Sequence, residues 1–239
     1  MICSIIKLRK GGNGKMKNLT IMNVNLQDQM TRSQLPKWKL ERLTNYLQEN
    51  KTSIVTFQHM TTEVLAKLQQ DLKEYQCVAS ARAYEYYPSE INNVILIHQS
   101  IPVLAAKIKT LPTLDSTDTC NMALFMNEQT PMLIANTTLT KTGSFIAKAD
   151  KLRALRQTIL QHQPTEEENM ILAGDFETSL DLALNKFMTN ENLQDVTTEV
   201  SPSHLLFPST LEVDTPLQSG IQYTKTPASI VATAHYQGK

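Results

Sequence analysis

The chain has 239 residues, 41% of them hydrophobic and 19% charged, which is enough apolar content to bury a sizeable core and too much for a disordered chain. Lysine plus arginine and aspartate plus glutamate number 23 each, so the formal net charge is zero; this weighs against a strong nucleic-acid binder, which grips phosphates through a basic excess. The three cysteines, Cys3, Cys77 and Cys120, stand far apart with no CxxC pair, so they read as free thiols of a reducing, cytoplasmic setting; no apolar run nears the roughly 18 residues of a membrane span.

Residues 1–17, MICSIIKLRKGGNGKMK, place an apolar run before Lys7, Arg9 and Lys10, the reverse of a signal peptide. GGNGK has the flavour of a phosphate loop. Its glycine spacing fails, and Met16 follows Lys15 where serine or threonine is required. The expectation is a disordered tail, or a start wrongly placed upstream of Met16. Residues 18–239 are expected to form one domain, because no linker or repeat divides them.

Leu19 to Asn25 alternates apolar and polar residues and predicts a strand. Pro36 opens a helix with Leu40, Leu43 and Leu47 on one face. Ser53 to Gln58 is short and β-branched, hence a strand, and Thr61 is placed to cap a helix carrying Leu65, Leu68 and Leu72. Between Gln76 and Leu139 the runs QCVASARAY, NVILIHQ, IPVLAAKI, MALFM and MLIANTTL predict consecutive strands. A long helix over 145–162 follows, then a buried strand NMILAG over 169–174 ending at Asp175-Phe176-Glu177, then a helix over 179–188 and a tail of loops and short strands. This order does not make a doubly wound parallel sheet. It suits two mixed sheets packed face to face, with helices on both outer faces.

Polar residues recur at the strand ends: Asn25, Gln58-His59, Asn136-Thr137-Thr138, Asp175, and His235 near the C-terminus. In α/β architectures functional groups gather at such ends. In their order and spacing these residues resemble the endonuclease/exonuclease/phosphatase family, of the deoxyribonuclease I type. A first strand ending in Asn is matched by Asn25, and "IVxLQE" by Ile54, Val55 and Gln58. "NTHL" is matched by Asn136-Thr137-Thr138-Leu139, and a helical Arg-x-x-x-Gln by Arg153 and Gln157. "ILxGDFN" is matched by Ile171 to Glu177, and a "TFPS"-like stretch by Phe207 to Ser209. "IDYI" is matched by Val213-Asp214-Thr215-Pro216, and the closing "SDH" by Thr233-Ala234-His235. The resemblance spans Leu19 to His235 and implies a four-layer α/β/β/α sandwich with a divalent-metal phosphoesterase site.

By that resemblance Asp175 is the general base, with Asp214 and His235 as its catalytic companions. Asn136, Thr138 and Glu177 face phosphate or substrate, and Asn25 and His59 stand at the metal, magnesium or manganese. Four positions depart from the pattern: His59 replaces the metal-binding Glu, Thr138 a His, Glu177 an Asn, and Ala234 an Asp. Magnesium takes oxygen ligands and favours carboxylates, so an imidazole at His59 is a poor substitute. Imidazole suits zinc, which wants further ligands such as Asp175 or Glu177. Each site residue also has a plainer role: Asn25 and Asp214 as turn residues, Asp175 as a helix cap, His235 as an exposed side chain. The Tyr84-Glu85-Tyr86-Tyr87 cluster fits packing better than base stacking. The leading expectation is a catalytically degenerate, cytoplasmic protein that binds a ligand or partner through the old cleft. The alternative is an active phosphodiesterase or phosphomonoesterase with an altered metal site, acting on a phosphate ester or nucleic acid.

Overall fold

The computed structural model describes residues 2–8, 19–26, 35–82, 91–111, 118–139, 145–162, 169–176, 194–195 and 229–234. Strands β1 (Ile2–Leu8), β2 (Leu19–Asn25), β3 (Ile54–Thr61), β4 (Tyr75–Arg82) and β5 (Ile91–His98) form one sheet in the order β1-β2-β3-β5-β4. Strands β6 (Val103–Thr110), β7 (Thr119–Asn127), β8 (Thr130–Thr138), β9 (Asn169–Asp175), β10 (Gln194–Asp195) and β11 (Ser229–Ala234) form a second, ordered β10-β11-β9-β8-β7-β6. Helices α1 (Lys37–Asn50) and α2 (Thr62–Asp71) cover the first sheet, and α3 (Phe145–Leu160) covers the second.

Strand parity decides which residues face which layer, because successive side chains point to opposite faces. Met22, Val24, Val55, Phe57, Val94 and Leu96 turn outward and pack on Leu40, Leu43 and Leu47 of α1 and Val64, Leu65 and Leu68 of α2. The alternate residues Leu19, Ile21, Ile54, Ile95 and Ile97 turn inward and meet Ala123, Phe125, Met132, Ile134, Ile171 and Ala173 of the second sheet. The outer face of that sheet, with Cys120, Met122, Leu133, Ala135, Met170 and Leu172, packs on Leu152, Ala154, Leu155 and Ile159 of α3. The result is the expected α/β/β/α sandwich. The fully buried valines, leucines and isoleucines among these each contribute about 1.5–3 kcal/mol.

The helix boundaries follow local chemistry. Pro36 supplies its carbonyl to Lys39 and Leu40 at the start of α1 without donating a hydrogen bond. Thr61 caps α2 as expected, its Oγ1 accepting from the Val64 N–H at 3.3 Å. Two parallel pairs, β2 with β3 and β8 with β9, are each joined by a helix, α1 and α3. Each is therefore a βαβ unit whose strand ends point to the same edge.

Two features differ from the sequence reading. Ile2–Leu8, within the stretch expected as a tail, pairs antiparallel along all of β2, from Ile2 opposite Asn25 to Leu8 opposite Leu19. Its alternation is too short to stand out, and the uncovered edge of β2 provides the pairing partner. Strand β3 also runs three residues beyond Gln58, across a register shift between Phe57 and Met60. The predicted helix 179–188, the Tyr84–Tyr87 cluster and Phe207–Ser209 lie outside the described residues.

Cys77 and Cys120 are free thiols, and burial pushes Cys120 up to about 12, so it stays protonated. Among the described residues no helix is long and apolar enough to cross a membrane. A buried ion pair ties α3 to the start of β7: Lys151 Nζ lies 2.9 Å from Asp118 Oδ2, with side chains 5% and 0% exposed. Removing one partner would leave the other charge desolvated. Lys151→Met is therefore expected to lower stability by about 3–5 kcal/mol, read from urea denaturation midpoints.

Candidate functional site

The inner faces of both sheets change character along their length. One end is the apolar core just described. Towards the C-terminal ends of the parallel strands, the same inward positions become Asn23 and Asn25 on β2, Thr56 and Gln58 on β3, and Asn93 on β5. Across from them stand Asn121 on β7, Asn136 and Thr138 on β8, and Asp175 on β9. All are buried, so each polar group needs a partner inside the protein.

Asn136 anchors the network. Its Nδ2 donates to the backbone carbonyls of Phe57 at 2.9 Å and Val94 at 3.1 Å, in the opposite sheet. Carbonyls only accept, so the amide can sit only one way round, and Asn136 Oδ1 must accept. It accepts from Gln58 Nε2 at 2.6 Å. Gln58 Nε2 also donates to Asn23 Oδ1 at 2.7 Å, and Thr56 Oγ1 donates to the same oxygen at 2.7 Å. A second branch runs from Thr138 Oγ1 to Asn93 Oδ1 at 2.6 Å, and from Asn121 Nδ2 to the Asn93 carbonyl. Among the described residues Asn23 Nδ2, Gln58 Oε1, Asn93 Nδ2 and Asn121 Oδ1 meet no hydrogen-bond partner. An unmet buried group costs about 1–3 kcal/mol, which the satisfied bonds of the layer offset.

Asp175 lies beside this network, opposite Thr138 in the β8–β9 register, and is fully buried. Its Oδ2 accepts from Asn25 Nδ2 at 2.6 Å and lies 3.1 Å from His59 Nε2. A carboxylate has no proton to give, so against it Nε2 is the hydrogen-bearing nitrogen of the contact. The contact depends on a bulge. Residues 58 and 59 both stand opposite position 93, and His59 has φ 57°, in the left-handed region. In a regular strand Gln58 and His59 would point to opposite faces. The bulge turns both towards the second sheet, where they meet Asn136 and Asp175. Holding a non-glycine residue there costs on the order of 1–3 kcal/mol, and such strain clusters at functional sites.

The structure thus brings together Asn25, His59 and Asp175, with Asn136 and Thr138 adjoining. Asn136 and Thr138, expected at phosphate or substrate, are buried with their polar groups bonded across the sandwich. Glu177, Asp214 and His235 lie outside the described residues. The resemblance sets Ala234 where the family has an acid that serves the metal and orients the final His. The β11 register sets Ser229 opposite Asp175 and Ala234 opposite Met170, about 17 Å further along at ~3.4 Å per residue. Arg153 sits exposed on α3, paired with Asp150 one turn before it.

Sequence reasoning missed Asn23, Thr56, Asn93 and Asn121. The signal was available: asparagines at inward parity in strands that are otherwise apolar.

The family resemblance implies a divalent cation, and the described residues by themselves do not fit magnesium. Asp175 is the single carboxylate of the trio, and both Asn25 Nδ2 and His59 Nε2 are directed at its Oδ2. Magnesium asks for converging oxygens, usually with one or two carboxylates and no competing donor. Among the described residues no group of three or more His, Cys, Asp or Glu is arranged to hold a metal.

No known family model matches the chain, and no curated protein matches it in sequence. Solved structures match in fold. An endonuclease/exonuclease/phosphatase family protein from Bacteroides thetaiotaomicron aligns with TM-score 0.63 at 13% identity, covering 76% of this chain and 72% of its own. A mannosyl-6-phosphatase from the same organism aligns with TM-score 0.67 at 12% identity, covering 90% and 85%. TDP2 of D. rerio, complexed with a single-strand DNA product, aligns with TM-score 0.65 at 14% identity, covering 92% and 84%. The chain has the endonuclease/exonuclease/phosphatase fold, the deoxyribonuclease I-like sandwich that its motifs resemble.

Gly174, immediately before Asp175, fixes how closely β8 and β9 approach. A Cβ there would lie 2.5 Å from the Thr137 carbonyl oxygen, a backbone atom that cannot swing aside. Gly174→Ala is expected to destabilise by about 1–3 kcal/mol. A thermal unfolding scan of the variant measures the loss.

Proposed function

We propose that the protein is a divergent endonuclease/exonuclease/phosphatase-family member whose inherited strand-end site is closed by its own hydrogen bonds. It binds a phosphate-containing ligand or a partner in the cytoplasm rather than hydrolysing phosphate esters with magnesium. One observation carries this reading: Asp175, the residue matched to the family's base, is fully buried, and Asn25 and His59 both address the same carboxylate oxygen. Both donors hold Oδ2, so they stabilise the charged carboxylate and weaken it as a proton acceptor. An imidazole directed at that carboxylate occupies the side from which a cation would approach. The phosphate-ester and nucleic-acid chemistry named for the structural neighbours supports the ligand class. The zero net charge argues that any nucleic-acid binding is weak and salt-sensitive.

The reading is tested first on metal response. Magnesium or manganese should leave the melting temperature of the unaltered protein unchanged. His59→Glu replaces the donor by a second carboxylate next to Asp175 and should make the melting temperature rise with magnesium concentration. A magnesium-dependent rise in the unaltered protein counts against a closed site.

Catalysis gives the second test. Purified protein should show little or no magnesium- or manganese-dependent turnover of DNA, RNA, a phosphodiester or a sugar phosphate, since losing members of one catalytic unit costs orders of magnitude. Turnover that needs the metal and disappears in Asp175→Asn would replace this reading with the alternative, an active phosphoesterase with an altered metal site.

A further inference from the structure

Strand β6 is an outer edge of the second sheet, and its residues are nearly all open to solvent. From Leu104 to Thr110 every position is exposed, with Leu104 at 54% and Ile108 at 48%. Only Val103 at its start is partly buried, against the inter-sheet core. Among the described residues β6 has a neighbour on one side only, β7. Its other side presents alternate N–H and C=O groups outward, the arrangement that accepts an added strand.

The side chains say what kind of strand fits. Beyond the register shift near Leu104, Ala105, Lys107 and Lys109 share one face, opposite Leu124, Met122 and Cys120 of β7. Ala106, Ile108 and Thr110 share the other, opposite Ala123, Asn121 and Thr119. Neither β6 nor β7 contains an aspartate or glutamate, so the lysine face is locally basic in a chain of zero net charge. A second copy is a poor occupant. Antiparallel pairing of β6 with itself in a continuous sheet would put Lys107 and Lys109 of both copies on one face. Like charges across a strand pair are destabilising. These lysines therefore act as edge protection against self-association.

We propose that β6 is a docking edge for an extended acidic segment of a partner protein. That segment would add as a seventh strand, set its acidic side chains beside Lys107 and Lys109, and lay apolar ones over Ala106 and Ile108. The lysines that repel a second copy attract this occupant. The proposal goes beyond the reading of the strand-end site and does not depend on it.

The test uses the full chain and a capped peptide of alternating valine and glutamate, with a valine/lysine peptide as control. Fluorescence polarisation gives affinity, and backbone amide shifts locate the contact. The acidic peptide should bind, the basic one should not, and the shifts should centre on 103–110. The double variant Lys107→Glu/Lys109→Glu, whose changes are on exposed side chains, should weaken the acidic peptide by about tenfold, since two cross-strand pairs turn from attraction to repulsion. It should gain binding of the basic peptide. Asp175→Asn should bind the acidic peptide as the unaltered protein does, which separates this result from the fate of the strand-end site. Absence of binding, shifts away from β6, indifference to the double reversal, or a concentration-dependent dimer that Ile108→Lys disrupts would each overturn the proposal.

Discussion

The hydrogen bonds from Asn136 to the Phe57 and Val94 carbonyls are the constraint on which the polar end of the molecule depends. Two backbone acceptors orient one amide. That amide orients Gln58, and Gln58 orients Asn23. Because the chain runs from β8 to β3 to β2, it ties the second sheet to the first at a depth where apolar packing has stopped. An apolar interface tolerates small slips of one sheet over the other, since dispersion contacts are non-directional. Hydrogen bonds of 2.6–3.1 Å do not. The amide layer therefore fixes the relative placement of strands whose ends carry Asn25, His59 and Asp175, and four unmet polar atoms accompany that specificity.

The same placement explains the character of the site. Asn25 comes from β2, His59 from β3 and Asp175 from β9, so the carboxylate is held between two sheets rather than on one loop. Fully buried carboxylates persist only when paired and hydrogen-bonded. Asn25 and His59 supply that pairing from the protein itself. The described partners of Asp175 Oδ2 are thus an amide and an imidazole, one from each of two neighbouring strands of the first sheet.

Much of the fold was legible in the sequence because strand parity is a local property. LTIMNVN, IVTF and NMILAGD each show which residues face inward, and α1 and α3 carry their leucines at helical spacing. The order of elements then left few architectures. The pairing of Ile2–Leu8 was not legible, because a seven-residue run reads as a strand only when a free edge awaits it. The direction of β11 was not legible either: Ser229 or Ala234 could equally stand beside Asp175 until the register was known. Asn25, His59 and Asp175 were identified from motif order, whereas the amide network was overlooked. Asparagine in a strand reads as a turn residue when each strand is considered alone, and its partners lie 28 to 79 residues away.

The bulge in β3 has a consequence for how this site changes over evolutionary time. Phe57 faces the helices, Gln58 faces the second sheet, and Met60 faces the helices again. His59 is therefore supernumerary to the pleat: the sequence Phe57-Gln58-Met60 would alternate correctly without it. Loss of a single codon at this point would regularise the strand and leave every neighbouring side chain in its present layer, deleting the histidine from Asp175 without repacking either core. Elsewhere in β3 a one-residue indel would exchange the contents of two layers. In β3 the place that tolerates a change of length is thus the one that touches the carboxylate, so that this contact can be gained or lost more readily than the strand that presents it.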